Sequence, residues 1–263
     1  MSFQITAIIL ICIWSIGTAG ILLSQLKEKF RRISEIIILT GIALMIVYIV
    51  QLWIGLERAP MRTLGETRLW YVLFMALIGI IIYYRWKYWW IIPYVLFLSV
   101  VFLIVNIIHP DNFDKTLMPA LQSYWFVPHV IVYMISYALL GVSMLMSAWE
   151  LLEIYRGRQS ESILSRIDNV VYIGFAFLTF GLLFGALWAK EAWGHYWTWD
   201  PKETWAFITW MLYLLYIHFR IHNRNSSKKA LWILSLAFVV LIICWFGINY
   251  LPSAQNSVHV YGR

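Results

Sequence analysis

Cysteine, charge and glycine-rich motifs are scarce in this chain. Its two cysteines, Cys12 and Cys244, lie alone in apolar runs, and no Cys-x-x-Cys pair exists. This pattern argues against thiol exchange, a cysteine zinc site and covalent haem attachment to the chain itself, and it predicts two small buried hydrophobic side chains. The sequence contains no glycine-rich phosphate loop, nucleophile elbow or internal repeat, so it offers no motif of a nucleotide-binding protein or an α/β-hydrolase.

Charged residues make up only 13% of the 263 residues, whereas 62% are hydrophobic and the mean hydropathy is +0.74. Such a composition is typical of a membrane protein, and a bilayer-spanning helix needs roughly 20 apolar residues. Eight segments meet or approach this length: residues 3–23, 33–56, 69–84, 88–108, 128–149, 168–189, 203–222 and 230–250. The sequence therefore predicts an all-α polytopic membrane protein of about eight transmembrane helices, of which the third is the shortest.

The basic residues predict the orientation of these helices. Eight spans place both termini on one side, and the two sets of loops carry 13 and 7 of the 20 lysines and arginines. The larger set comprises Lys27, Lys29, Arg31, Arg32, Arg85, Lys87, Arg156, Arg158, Arg166, Arg220, Arg224, Lys228 and Lys229. Because cytoplasmic loops are enriched in Lys and Arg, we expect both termini on the outer (periplasmic) side. The net charge of +7 then reflects topology and the lipid bilayer rather than nucleic acid, since no basic face is interleaved with exposed aromatics.

Little sequence remains outside the predicted spans, so residues 1–263 are expected to form a single membrane domain. The first segment begins almost at Met1, without a basic n-region or a small-residue cleavage site. This indicates a retained span rather than a signal peptide.

The densest signal lies between the sixth and seventh spans. Four of the thirteen residues from 193 to 205 are tryptophan: Trp193, Trp197, Trp199 and Trp205. An aromatic belt at the membrane interface is one explanation, but a belt needs only one or two tryptophans at each helix end. The density favours a surface that holds a large, flat aromatic ligand. The acidic residues that follow have a structural explanation, because Asp200, Pro201 and Glu203 fit an N-cap, the first helical position and a capping box.

Six histidines are candidate metal or haem ligands. Four of them are predicted on the outer side: His109, His129, His195 and His259. The tail that carries His259 can fold over the tryptophans, since eight extended residues reach about 26–29 Å. His218 lies 18 residues after Asp200, about 27 Å along one helix, so a single porphyrin cannot touch both. His218 therefore indicates a second, inner position, where His222 is either a partner in a small metal site or a boundary residue.

Several blocks of sequence resemble a known family. They are Trp188 to Gly194, Tyr196-Trp197-Thr198-Trp199-Asp200-Pro201-Lys202-Glu203-Thr204-Trp205, Ile208-Thr209-Trp210, Tyr216-Ile217-His218, Asn249-Tyr250-Leu251-Pro252, His259-Val260-Tyr261-Gly262, Pro128-His129-Val130 and, more weakly, Pro60 to Glu66. On these residues the chain resembles the CcsA (ResC) family of cytochrome c synthesis proteins, in the haem-handling superfamily defined by the WWD motif. The Lys-Glu-Thr-Trp continuation is similar to CcsA rather than to CcmC or CcmF.

The resemblance implies a haem b site at the outer face. His129 and His259 would be the iron ligands, and the surrounding surface would comprise Trp193, Trp197, Trp199, Asp200 and Trp205. The haem-handling core would span about residues 125–263, with the WWD loop at 191–205. The resemblance also implies that His218 binds an inner haem together with a histidine of a CcsB-type partner. The family usually carries a small polar residue where this chain has His195, so His195 is an additional candidate ligand.

The activity implied by the resemblance is system II cytochrome c biogenesis in the bacterial cytoplasmic membrane or an equivalent energy-transducing membrane. Haem would cross the membrane and be attached to the Cys-x-x-Cys-His segment of apocytochrome c, with this chain as a haem lyase (cytochrome c synthase) component beside its CcsB-type partner. The alternative is a CcmC-type carrier that hands haem to a chaperone without forming thioether bonds. A b-type electron-transfer protein is a further alternative, but only His218 lies clearly within a span.

Overall fold

The computed structural model describes residues 2–110, 115–158, 161–223 and 226–250. Within these ranges the chain forms eight long α-helices and no β-strand, which confirms the predicted all-α fold. The helices are α1 (Phe3–Leu23), α2 (Lys29–Leu56), α3 (Leu64–Trp86), α4 (Ile91–Ile108), α5 (Phe126–Tyr155), α6 (Glu161–Trp193), α7 (Pro201–His222) and α8 (Ser227–Trp245). Two 3-10 segments, Pro119–Gln122 and Gly247–Tyr250, precede α5 and follow α8.

Seven of the eight described helices are long and apolar enough to cross a membrane, and α7 is the exception. Helix α7 has 22 residues, which is long enough, but its sequence includes Lys202, Glu203, His218 and Arg220 along with several tryptophans and tyrosines. These polar and amphipathic side chains lower its mean hydropathy. Polar residues inside membrane helices usually mark functional positions, and α7 carries two of the candidate site residues, Trp205 and His218.

The third helix is not the shortest one, which corrects the prediction. Helix α3 has 23 residues, whereas α4 has 18. The hydrophobic run was expected to start at residue 69 because Glu66 and Arg68 interrupt it. In the structure these residues are already helical, since Thr63 accepts a hydrogen bond from the Glu66 amide and caps the helix five residues earlier.

A buried ion pair lets α3 start among charged residues. The carboxylate of Glu66 has no solvent exposure and accepts two hydrogen bonds from the Arg58 guanidinium, at 2.8 and 2.9 Å. The backbone amide of Arg62 donates a third, at 2.6 Å. A charge is tolerated in such a place only when it is paired and hydrogen-bonded. The pair therefore fixes the turn between α2 and α3.

The described residues form two compact units, one ending at Leu117 and the other beginning at Met118. In the first unit, α1 contacts α2, α2 contacts α3, α3 contacts α4, and α4 contacts α1. The second unit repeats this closed order with α5, α6, α7 and α8. The second unit includes the described residues from 125 to 250. The haem-handling core at about residues 125–263 and the single-domain organisation both stay predictions.

Close packing of α1 and α2 depends on small residues. Gly20 of α1 lies directly against the Ser34 side chain of α2, where an added Cβ would collide with the hydroxyl. Small residues let membrane helices approach closely and gain van der Waals contact. The expectation for the cysteines is met only for Cys244, which is buried; Cys12 is exposed on α1. An apolar side chain on a membrane helix can face lipid as readily as protein, so its burial does not follow from its hydrophobicity.

We expect Glu66→Gln to destabilise the protein by about 3–5 kcal/mol, because it leaves the Arg58 charge buried without its counter-charge. Glu28→Gln is the matched control, since Glu28 pairs with Arg31 at a solvent-exposed site, where such pairs contribute about 0–1 kcal/mol. Thermal unfolding of the detergent-purified variants, followed by circular dichroism, measures both. Equal unfolding midpoints for the two variants would contradict the role given to Glu66.

Candidate functional site

The tryptophan loop, residues 194–200, joins α6 to α7 through two left-handed residues. Gly194 ends α6 with φ +88°, and the Lys190 ammonium donates a hydrogen bond to its carbonyl at 2.8 Å. Trp199 has φ +59° although it is not glycine. A bulky residue in this region is strained, and such strain persists only where the surroundings impose it.

Glu203 supplies much of what holds this loop. One of its carboxylate oxygens accepts hydrogen bonds from the backbone amides of Thr198 and Asp200, at 2.8 and 3.1 Å. The Thr204 hydroxyl donates to the Trp199 carbonyl at 3.1 Å. These bonds lie on both sides of Trp199 and account for its left-handed conformation. The Lys-Glu-Thr continuation of the motif therefore has a structural role in shaping the loop.

The expected capping box at the start of α7 is confirmed. The Asp200 side chain accepts from the Lys202 amide at 3.0 Å, Pro201 occupies the first helical position, and Glu203 closes the box. Both carboxylates also lie at the positive end of the helix dipole, where negative charge is favoured. Asp200 and Glu203 are thus accounted for by helix capping and loop geometry.

A group of aromatic rings, of which Trp199 and Phe207 are exposed and Trp197 and Trp210 are half-buried, continues from the loop along α7. Trp197 and Trp199 meet edge to face with centroids 5.7 Å apart, and Trp199 meets Phe207 in the same way at 5.8 Å. Phe207 stacks on Trp210 at 6.2 Å, and the Trp210 indole donates to Thr179 of α6 at 2.9 Å. Trp199 is 62% exposed. A strained residue that presents a large ring to its surroundings fits a binding surface better than a folding role.

His129 lies in a niche between α5 and α6. Its Nδ1 is 2.9 Å from the carbonyl oxygen of Gly181. A Cβ at Gly185 would come within 2.8 Å of the ring, so glycine is what leaves room for the imidazole. Because a carbonyl can only accept, Nδ1 carries the proton in the neutral ring, and Nε2 is left with the lone pair that binds a metal.

An aromatic chain connects His129 to the last turn of α6. The His129 ring is 5.3 Å from Trp188, and Trp188 is 4.9 Å from Trp193, the last residue before the loop. The Trp188 indole donates to the Ala120 carbonyl at 2.6 Å. Glu191 accepts from the Ser123 hydroxyl at 2.5 Å. The 3-10 segment before α5 is thereby tied to the end of α6, beside the tryptophan loop.

His218 lies exposed on α7, far from the tryptophan loop. The helix is continuous from Pro201 to His222, so the distance of about 27 Å from Asp200 stands. Its Nδ1 is 2.9 Å from the Leu214 carbonyl of the preceding turn, which favours the tautomer with its lone pair on Nε2. His222 makes the same bond to the His218 carbonyl at 3.0 Å and is also exposed.

The pairing of Arg220 was not foreseen from the sequence. Its guanidinium binds both carboxylate oxygens of Asp168 on α6, the closest contact being 2.7 Å, and the Tyr216 hydroxyl donates to the same carboxylate at 2.7 Å. Residues 216 and 220 are each two positions from His218, about 200° around the helix. The cluster thus turns His218 away from α6. In the sequence, the spacing of Tyr216 and Arg220 by four residues indicates that they share one face of the helix, opposite His218. This spacing does not identify Asp168 as their partner.

The remaining candidate residues are dispersed. Trp205 lies half-buried in the second turn of α7, and His195 is exposed in the loop. His109 is exposed at the end of α4 in the first unit. His259 lies outside the described residues. Within the described ranges, no group of three or more His, Cys, Asp or Glu side chains is arranged to hold a metal ion.

Comparisons with known proteins establish the class. A family model described as cytochrome c assembly protein matches residues 3–254. The chain therefore belongs to the cytochrome c assembly protein family, and it is an integral membrane protein of that family. The resemblance to CcsA is confirmed by curated relatives that carry this name.

Three such relatives illustrate the similarity. CcsA of Prochlorococcus marinus (strain MIT 9215) is 37% identical over 186 residues, which cover 58% of this chain and 59% of that protein. CcsA of Chlamydomonas reinhardtii is 39% identical over 155 residues, covering 56% of this chain and 43% of that protein. CcsA of Guillardia theta is 37% identical over 182 residues, with 58% and 60% covered. The chain thus spans about three fifths or less of the length of these relatives.

A solved structure shares the fold. The cytochrome c haem lyase CcmF matches with a TM-score of 0.75 over 93% of this chain and 46% of that chain, at 16% identity. At this level of identity the match shows the fold alone. It supports the order of helices described above and leaves the chemistry to be argued from the residues.

We expect Trp199→Gly to be more stable than Trp199→Ala by about 1 kcal/mol. Both variants lose the ring, but only alanine keeps a Cβ in the left-handed conformation. Trp205 is the control, because glycine there should be less stable than alanine by about 1 kcal/mol within a regular helix. Thermal unfolding of the four variants provides the measurement. A glycine variant at 199 that is less stable than its alanine counterpart would rule out the left-handed loop.

Proposed function

We propose that this chain binds haem at the end of the second unit that carries the tryptophan loop, and that it presents the haem for attachment to apocytochrome c. The observation that carries the proposal is the His129 niche, in which the Gly181 carbonyl fixes the imidazole tautomer that has its metal-binding lone pair on Nε2. Axial histidine is a common ligand of haem iron. Trp188 and Trp193 connect this niche to the loop.

The tryptophan loop suits the other requirement of a porphyrin site, a large apolar surface. Aromatic side chains offer the greatest contact area at low conformational cost. Trp197, Trp199 and Phe207 form a contiguous group, and Glu203 holds the loop that carries the first two. In the proposal, Trp193, Asp200 and Trp205 complete the haem-binding surface. Haem b is the substrate in transit here, and the protein's contribution is to bind and orient it.

The second axial ligand of this outer haem is His259 in the proposal. The family resemblance assigns it, and the eight residues after Leu251 give it the reach. His195, exposed in the tryptophan loop, is the competing ligand. Attachment would add the two thiols of Cys-x-x-Cys-His across the haem vinyl groups. Each addition forms one C–S and one C–H bond and releases no leaving group.

A second haem position is proposed at His218. This histidine is exposed, has Nε2 available and is turned outward by the Asp168–Arg220 pair. Two axial histidines bind a haem iron from opposite faces of the porphyrin. His218 would supply one of them, and a CcsB-type partner would supply the other. The two positions would lie near opposite ends of α7, whose residues Asp200 and His218 are about 27 Å apart, and would let haem pass across the membrane along this helix.

The orientation completes the proposal. The prevalence of Lys and Arg in the loops at the His218 end supports a cytoplasmic position for that end. Both termini and the tryptophan loop would then face outward, in a bacterial cytoplasmic membrane or an equivalent energy-transducing membrane. Together with a CcsB-type partner the chain would act as a haem lyase component.

A CcmC-type carrier is the second candidate. It would use the same tryptophan loop but would hand haem to a chaperone. Glu203 and Thr204, both in the Lys-Glu-Thr-Trp continuation, make hydrogen bonds that hold the loop. Because this continuation resembles CcsA rather than CcmC, the observation favours the lyase over the carrier. Co-expression with a CcsB-type partner and a reporter apocytochrome separates the two candidates, since only a lyase yields covalent haem.

We expect His129→Ala and His259→Ala each to lose most of the haem absorbance of the purified complex and to abolish maturation of the reporter cytochrome. Added imidazole should restore both in part, because it fills an empty axial position and cannot repair a misfolded protein. His195→Ala is the matched variant from the same end of the unit. If His195→Ala abolishes maturation while His129→Ala remains active, then His195 rather than His129 is the outer haem ligand.

We expect His218→Ala, in complex with the partner, to lower the haem that reaches the outer position, although that position is intact. His222→Ala removes an equally exposed imidazole one helical turn away and should leave haem content unchanged. Absorption spectra before and after added imidazole measure both variants. Normal haem content and maturation in His218→Ala would remove the inner position while leaving the outer one in place.

A further inference from the structure

An apolar groove lies between α5 and α8 in the second unit. Its volume is about 580 Å³, within the range of ligand-binding pockets. Small residues on the facing helices, Ala148 and Ser235, lie between larger ones that include Leu152, Trp232 and Leu236. The Ser235 hydroxyl donates to the Leu231 carbonyl, so it adds no free polar group. The groove is therefore suited to a hydrocarbon ligand.

One end of this groove is aromatic and positively charged. The Lys228 ammonium lies 4.1 Å from the centre of the Tyr155 ring, and Tyr155 and Trp232 both line the groove. Arg156 and Arg158, which follow α5, share the carboxylate of Glu153 at 2.8 and 3.9 Å. These two guanidinium groups exceed the one carboxylate by a single positive charge, and Lys228 and Lys229 add two more. Such a combination of aromatic side chains and lysines is suited to a lipid headgroup.

We propose that this groove holds one acyl chain of an anionic phospholipid of the cytoplasmic leaflet, with the lipid phosphate at Lys228 and Lys229. With the orientation derived from the basic residues, the charged end of the groove faces the cytoplasm, where anionic lipids are enriched. Apolar volume and positive charge thus coincide where a phospholipid would present its chain and its phosphate.

The length of the groove distinguishes a lipid from a partner's helix. Its lining on α5 runs from Met144 to Tyr155, about 16 Å at the rise of an α-helix. This is close to half of the roughly 30 Å hydrocarbon core. A transmembrane helix of a partner would need a surface that crosses both leaflets, whereas an acyl chain needs a groove as deep as one leaflet. The length of the groove therefore favours an acyl chain.

Native mass spectrometry of the full chain, purified in detergent and titrated with phosphatidylglycerol or phosphatidylcholine, tests the proposal. The wild type should retain one phosphatidylglycerol in preference to phosphatidylcholine. Lys228→Gln with Lys229→Gln should weaken phosphatidylglycerol binding by about fivefold for each lysine and remove the preference. Lys27→Gln with Lys29→Gln removes the same charge where α1 and α2 meet in the first unit; neither residue lines the groove, so this variant should have no effect.

Ala148→Leu fills the groove and should weaken the binding of both lipids while the lysines remain. Ser235→Leu fills it from α8 and serves as the second variant if Ala148→Leu fails to fold by circular dichroism. Unchanged phosphatidylglycerol binding in a folded groove variant would overturn the proposal. So would equal binding of the two lipids by the wild type, or loss of a co-purifying partner chain from the groove variants with lipid binding intact.

Discussion

A charge within an apolar chain must be neutralised or brought to the membrane surface, and the described structure shows how this requirement is met. Glu66 is fully buried and held by Arg58, which allows α3 to begin among charged residues. Asp168 binds Arg220 and sets the rotation of α7. Glu203 is buried against backbone amides. In each case a carboxylate determines where a helix begins or which way it faces, and the apolar contacts follow from that choice.

The start of α7 shows how capping and ligand presentation are combined. Asp200 and Glu203 satisfy amides that a helix start leaves without partners, and Glu203 also reaches the Thr198 amide. The bond from the Thr198 amide to Glu203 and the bond from the Thr204 hydroxyl to the Trp199 carbonyl together hold Trp199 in a left-handed conformation, with its ring exposed. Residues that stabilise the helix are thus the same ones that shape the surface proposed for haem.

Helix α7 also connects the two ends of the second unit. It is less apolar than the other seven described helices because it carries Lys202 and Glu203 at one end and His218 and Arg220 at the other. At both candidate positions the imidazole Nδ1 is bonded to a backbone carbonyl, which favours the tautomer with its lone pair on Nε2. The same tautomer at both histidines is consistent with the proposed passage of haem along α7.

The sequence alone determined the features that depend on local pattern. The eight helices follow from runs of apolar residues, the capping box from Asp200, Pro201 and Glu203, and the family from the motif around Trp197 and Trp199. Only the tertiary structure decided what depends on residues distant in sequence. It placed His129 against Gly181 and Gly185, paired Asp168 with Arg220, and began α3 at Leu64 because Arg58 neutralises Glu66. The length of an apolar run indicates which segments enter the bilayer. Because each segment is apolar on nearly every face, the run does not indicate which face contacts a neighbouring helix. The rotation and the neighbours of a helix are therefore set by a few polar contacts and close-packed glycines, which become visible only when the helices are brought together.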